Sequence, residues 1–307
     1  MRIGVFVSET WGEPSDLFEV RERARRVEAL GLDSAWVPYL PWSLDSIVAL
    51  QAASEVTERI ELGSAVIPTY LFHPLALARQ ANSLRGVLGD RLTLGIGSSQ
   101  QVVIEQMHGV RFDRPARHVR EYVEVLRAAG DGKGHVGHSG EIFRIDAMYG
   151  TPGAAPMPIL IGALGPLMLK AAGEVADGTI ATWCDEGAIE RVIGPAVREA
   201  AAAAGRPEPR VGTVVPVTVT DDLEAAKKAT AEHFATYDAI PRYQRVVALG
   251  DGEKAADVCI VGSEKHVRDR LRAFESAGLT DLLAAPFAVG PDKQASRART
   301  LECLAAR

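Results

Sequence analysis

Short apolar runs rich in β-branched residues alternate along the chain with longer stretches whose apolar residues recur at helical spacing. That alternation is the mark of strand–helix units that build a parallel sheet. The runs that predict strands are Ile3–Val7, Ser34–Val37, Ile60–Val66, Leu92–Ile96, Ile159–Ile161, Gly178–Trp183, Val211–Val219 and Leu282–Ala285, with Val258–Ile260 competing for one of the last places. About eight such strands are what a closed (β/α)8 barrel requires. The expected fold is therefore an α/β TIM barrel.

The helices between them carry readable ends. Asp16–Leu30 closes on Gly31, Leu44–Val56 holds apolar residues at helical spacing, and Pro74–Leu88 starts on proline and stops at Gly89. Val119–Ala128, Pro166–Val175, Ile189–Ala203, Leu223–Ala235 and Glu264–Ala277 follow, the last two preceded by Asp222 and Ser263, which can cap first-turn N–H groups. Two stretches rich in Gly, Pro and polar residues, 130–158 and 236–257, interrupt the rhythm. They read as insertions in the loops that follow strands, where they would shape or cover a barrel's active mouth, or as plain surface excursions.

Composition narrows the class without changing the fold. With 307 residues, 47% hydrophobic and 24% charged, the chain can bury a large core, and no linker divides residues 1–307, so one domain is expected. A net charge of −6 with dispersed basic residues offers no footprint for nucleic acid or an anionic membrane. The start lacks a signal-peptide apolar core, and no run is long enough to span a bilayer. Cys184, Cys259 and Cys303 are odd in number and far apart, which fits a reducing cytoplasm. The histidines show no metal-ligand spacing, and the lysines fall outside the predicted strands, which argues against a metal hydrolase and against an aldolase. No GxGxxG follows the first strand, so a Rossmann nicotinamide site is not expected.

Candidate chemistry collects after the strands. In Ile161-Gly162-Ala163-Leu164-Gly165-Pro166 a strand ends in small residues and a proline starts a helix. The helix N-terminus and open backbone suit a phosphate, although the same residues also make an ordinary tight turn. Gly97 and Ser98, after the fourth strand, would let a flat ring lie over the mouth, and Gln101 could hydrogen-bond ring or substrate. Ser8 and Glu9 follow the first strand. Glu9 is the leading acid/base candidate by position, with a solvated loop carboxylate as the other reading. Trp11, Tyr39, Trp42, Tyr70 and Trp183 also fall just after strands, where aromatics suit ring stacking but serve equally as core.

The segments "IELGSAV" (60–66), "HPLALARQANSLRGVLGDRLTLGIG" (73–97), "GVRFDRPARHVREYVEVLRA" (109–128), "PILIGALGPLMLKAAGEVADGTIATW" (158–183) and "VGSEKHVRDRLRAFESAGLTDLL" (261–283) together resemble the bacterial-luciferase-like flavin monooxygenase superfamily, within it the branch that uses the deazaflavin coenzyme F420. The resemblance implies an oxidoreductase with F420, or alternatively FMN, over the strand ends. It implies a coenzyme phosphate at Gly162–Gly165, a non-prolyl cis peptide at Ala65–Val66 behind the ring system, and further coenzyme contacts from Ser8, Gly97, Ser98 and Trp183. Trp11, Tyr39, Trp42, Tyr70 and Gln101 are left for the substrate. His73-Pro74 reads as structural.

Two departures direct the chemistry. Alcohol and sugar-phosphate dehydrogenases of the branch carry Asp-His after strand two, where this chain has Pro38-Tyr39, and an Asn beyond strand four, where it has Val102-Val103. The reading moves accordingly from alcohol oxidation to hydride transfer onto an activated C=C or C=N bond of a small molecule. A non-catalytic coenzyme-binding protein is the alternative outside the class. Relatives often pair through outer helices, and the apolar face of Leu44–Val56 would serve a homodimer.

Overall fold

In a computed structural model the chain is described for residues 1–8 and 15–306. Eight parallel strands close on themselves: Arg2–Phe6, Ser34–Val37, Glu61–Ser64, Leu92–Gly97, Ile159–Gly162, Gly178–Thr182, Arg210–Val219 and Asp281–Pro286. The first strand pairs with the second and with the eighth (Gly4 beside Ser34 and Leu283), and the seventh completes the ring between the sixth and the eighth. The predicted strands all lie in this wall. The Val258–Ile260 competitor does not: the strand there is Ile260–Gly262, which pairs with Val217–Val219 where the seventh strand overshoots its neighbours.

Close approach of one large side chain sets the barrel's middle. Trp36 is fully buried, with its indole N–H donating to Ser34 Oγ at 2.8 Å. A Cβ at Gly63 would stand 2.3 Å from the Trp36 ring and one at Gly4 2.4 Å from its Nε1, so both positions must lack a side chain. Phe6, Leu160, Ile180, Val214, Leu283 and Ala285 complete this inner core. A separate, larger core lies between the wall and the helices.

Below Trp36, at the strands' N-terminal ends, the barrel floor is ionic. Arg210 donates to Asp281 at 2.6 and 3.1 Å, to Glu61 at 3.0 Å and to Thr93 at 3.3 Å, while Arg2 reaches Glu61 at 2.7 Å. Burial works against the Arg210 charge, but Asp281 and Glu61 outweigh it and hold the guanidinium protonated.

The outer helices start as their sequences dictate. Asp16 makes a capping box with Glu19, Asp45, Asp222 and Ser263 accept from first-turn N–H groups, and Gly31 and Gly89 supply the positive φ that ends two helices. His73 is structural as expected, its Nδ1 accepting from Leu75 N at 3.3 Å at the start of Pro74–Leu88. A last helix, Lys293–Ala305, had no counterpart in the predicted elements.

The two insertions part company. Residues 236–257 begin at the end of helix Leu223–Asp238, within the connection from the seventh strand to helix Glu264–Ser276, and fold as the helices Pro241–Val247 and Ala255–Val258. Residues 130–158 do not follow a strand; they lead from helix Pro115–Gly130 into the fifth strand. That connection begins at the floor, because each helix returns the chain from mouth to floor. A hairpin, His135–Ser139 with Arg144–Met148, then climbs the outside of the helix. Its tip donates from the N–H groups of Glu141, Ile142 and Phe143 to the Glu121 carboxylate at 2.8–3.1 Å. Burial pushes that carboxyl up, but these bonds and Arg117 prevail and hold it at about 2. Composition identified an irregular segment here without revealing the face on which it begins.

Candidate functional site at the barrel mouth

The C-terminal strand ends bring several of the proposed coenzyme residues together. The Ala65–Val66 peptide is cis, as the resemblance implied. Ser64 fixes the third strand's end against the fourth, its Oγ donating to Gly95 O at 2.8 Å and accepting from Gly95 N at 2.9 Å. Gly97 and Gly162 are register partners on strands four and five. Cβ atoms there would stand 2.8 and 2.9 Å from Val66 Cγ2, so the two glycines make room for the Val66 side chain. Their absence of side chains thus serves the packing of the mouth itself.

Beyond Gly162 the turn continues with buried Ala163, half-buried Leu164 and exposed Gly165. Gly165 begins helix Pro166–Val175 without a side-chain cap, and a Cβ there would meet nothing within 4 Å. Asp16, Asp45, His73, Asp185, Ser263 and Asp292 cap other helices, whereas Gly165, like Arg114 before Pro115 and Ile240 before Pro241, provides no side-chain cap, and its lack of a side chain leaves this N-terminus open to an incoming acceptor. On the opposite side of the ring, Ser8 is fully buried and its hydroxyl has no hydrogen-bond partner among the described residues. Ser98 is buried, its hydroxyl donating to the Ser99 carbonyl at 3.2 Å.

The remaining candidates are placed as follows. Trp183 has a positive φ of 58° and is buried, its ring 5.1 Å from Phe234, 4.7 Å from Tyr237 and 6.1 Å from Tyr243. Tyr39 packs edge-on against Phe72 at 6.0 Å, and burial raises its phenol's pKa, with Asp45 adding to the shift. Trp42 is 68% exposed. Tyr70 donates its hydroxyl to the Asp113 carbonyl and stacks on His118 at 3.9 Å, which ties it to the flank helix Pro115–Gly130. The Gln101 amide donates to Glu105 at 3.0 Å. Glu9 and Trp11 lie outside the described residues.

Three mouth residues escaped the sequence reading: Gln100, Arg242 and Tyr243. The Tyr243 hydroxyl accepts from Gln100 Nε2 at 3.0 Å, and Arg242 Nη1 donates to the Ser99 carbonyl at 2.9 Å. The partners are 143 residues apart, so no local pattern joins them. The available signal was that Arg242 lies in an irregular stretch between the seventh and eighth strands. Among the described residues no cluster of His, Cys, Asp and Glu could hold a metal ion, and no helix is long and apolar enough to cross a membrane.

Comparison with known proteins gives this mouth a family. A model described as "Luciferase-like monooxygenase" matches residues 1–281. The chain belongs to the luciferase-like monooxygenase family. It is an enzyme, an oxidoreductase of that family. It is 27% identical to the 5,10-methylenetetrahydromethanopterin reductase of Archaeoglobus fulgidus, covering 91% of this chain and 92% of that protein. It is 30% identical to an F420-dependent glucose-6-phosphate dehydrogenase of Kribbella flavida, covering 91% and 90%. Among solved structures, an F420-dependent secondary alcohol dehydrogenase, in complex with an F420–acetone adduct, superposes with a TM-score of 0.84 at 18% identity, covering 100% of this chain and 99% of that one.

Within the luciferase-like fold this chain ends its second strand without a histidine: the Pro38 carbonyl accepts from Ser46 Oγ at 3.0 Å, and Tyr39 follows. After the fourth strand, Val102 is half exposed and Val103 opens a short π-helical turn, Val103–Met107. Neither place offers a nitrogen base.

Proposed function

We propose that the protein is a coenzyme F420-dependent reductase that transfers hydride to an activated C=C or C=N bond of a small organic substrate. The observation that carries this reading is the open, uncapped start of helix Pro166–Val175 beside the Val66 platform. It would offer backbone N–H groups and a positive dipole end to a phosphate, near the Val66 side chain against which a tricyclic ring would lie. The residues fit the coenzyme: Ala163, Leu164 and Gly165 would hold its phosphate, Ala65 and Val66 would back its ring, and the Ser8 hydroxyl, without a partner among the described residues, would be available to a ring heteroatom. Relatives named for F420 chemistry along nine-tenths of the chain support the choice of coenzyme.

When bound, the reduced deazaflavin supplies a hydride from its C5 and reacts poorly with oxygen. The chain's own work is to orient substrate against that face, to exclude water, and to deliver a proton as the acceptor is reduced. Glu9, which follows strand one in sequence, is the proposed proton donor. Pro38-Tyr39 and Val102-Val103 favour reduction over alcohol oxidation, since oxidation needs a base for the hydroxyl proton.

Titration with oxidised F420 and separately with FMN, read by tryptophan quenching, tests the reading. Micromolar or tighter F420 binding is expected, followed by oxidation of the reduced coenzyme in the presence of electron-poor alkenes or imines. Tight FMN binding without F420 binding would overturn the choice of coenzyme.

A further inference from the structure

Helix Pro241–Val247 is anchored on both sides of the fifth strand. On one side Arg242 reaches the Ser99 carbonyl at 2.9 Å and Tyr243 meets Gln100 at 3.0 Å, just past strand four. On the other, the Tyr243 ring lies 6.1 Å from Trp183, and the N–H groups of Asp251 and Gly252 donate to Asp185 at 2.6 and 3.2 Å, just past strand six. Strand five pairs with both of these strands. The helix therefore bridges the place where strand five ends, the turn Gly162–Gly165 with its uncapped helix start.

Arg242 differs from most half-buried arginines; Arg91 also lacks a carboxylate among the described residues, but it donates to three neutral acceptors, Thr57 Oγ1, Thr57 O and Ile60 O. Arg210 is matched by Asp281 and Glu61, Arg127 and Arg206 by Asp177, and Arg270 by Glu186. Arg242 has no carboxylate partner among the described residues, and its recorded hydrogen bond is to a neutral carbonyl. Nearby acids are engaged elsewhere: Asp185 with the N–H groups of Ala188, Asp251 and Gly252, Glu105 with Gln101 and Phe112, and Asp238 with Ala255. Burial opposes its charge, with Arg245 adding to that, although the Tyr243 phenol works the other way. A guanidinium has five donors in a planar fork, and leaving it desolvated without an anion is costly.

We infer that Arg242 grips an oxyanion delivered by a ligand over the fifth-strand turn. The inference deepens the coenzyme reading above and rests on it for one of two sources: the coenzyme's phosphate, or a phosphate or carboxylate of the substrate. Each presents the same planar acceptor pair to the guanidinium fork.

Full-length Arg242→Met and Arg242→Lys proteins would be titrated with F420, with its phosphate-free deazaflavin core, and with inorganic phosphate in the presence and absence of F420. In Arg242→Met, a loss of about ten- to hundredfold in F420 affinity with the core's affinity unchanged assigns the anion to the coenzyme. Unchanged F420 affinity together with lost binding of inorganic phosphate to the F420-loaded protein assigns it to an acidic substrate. Affinities for all three probes within twofold of wild type overturn the inference. Arg242→Lys keeps the charge but not the fork and should fall between the two, and equal melting temperatures separate these effects from unfolding. A wild type that binds neither deazaflavin, yet binds inorganic phosphate in an Arg242-dependent way, would sink the coenzyme reading and leave the anion grip standing.

Discussion

The floor and the mouth of this barrel are built from similar residue types and treat their polar groups in opposite ways. At the floor, Arg210 engages Asp281, Glu61 and Thr93, and Arg2 closes the same network, so buried charge is matched within the chain. At the mouth, among the described residues, the Ser8 hydroxyl has no partner, Arg242 has no carboxylate, and helix Pro166–Val175 begins uncapped. Buried polar groups are ordinarily satisfied, because leaving one unmatched costs about 1–3 kcal/mol. Unmatched buried groups occur elsewhere as well, such as Thr213 Oγ1 and Asn82 Oδ1, so the contrast supports the proposed ligand site at the mouth without fixing it.

The comparison can be broken by substitution, starting with the largest effect. Asp281→Ala leaves Arg210 buried beside Glu61 alone and should cost about 3–5 kcal/mol in urea unfolding, with coenzyme affinity of the folded protein unchanged. A loss under about 1 kcal/mol would show that the floor network is not what secures the barrel. Glu9→Gln should act on the other end, slowing turnover about a hundredfold while leaving binding and melting temperature alone. An unaffected rate would reduce Glu9 to a loop residue. The smallest free-energy change is expected for Gly165→Asp, which has space around it and improves the helix cap, so stability should hold or rise by a few tenths of a kcal/mol. Its carboxylate should nevertheless weaken coenzyme binding about tenfold by repelling the phosphate. Unchanged affinity would move the phosphate away from this turn. Gly162→Asp would not separate these effects, since a side chain there collides with Val66 before any ligand is considered.

Much of the barrel was legible because its signals are local. Pro74 and Gly89 bound a helix that runs Pro74–Leu88 as read, and Pro166–Val175 likewise matched residue for residue. The strands Ser34–Val37 and Leu92–Gly97 stand where the apolar runs placed them, to within a residue. The irregular segments were harder. Residues 130–158 and 236–257 share a Gly, Pro and polar composition, yet the first joins helix Pro115–Gly130 to the fifth strand, and the second lies within the connection from the seventh strand to helix Glu264–Ser276. Composition records that a segment is irregular; its place on the barrel is set by the elements it joins.

The candidate site divides the same way. The glycine-rich end of strand five and the Ala65–Val66 position could be named from the chain, the first from turn chemistry and the second from family likeness. That Gly97 and Gly162 accommodate Val66, that Trp183 is buried against Phe234 and Tyr237, and that Arg242 comes to Ser99 could not. Caps, turns and periodicity act over a few residues, so the sequence by itself determined the alternation of elements and hence the barrel. Contacts such as Arg242 with Ser99 or Arg210 with Glu61 join residues more than a hundred positions apart and exist only once the ring has closed. Closure alone decided which polar groups found partners within the chain and which did not.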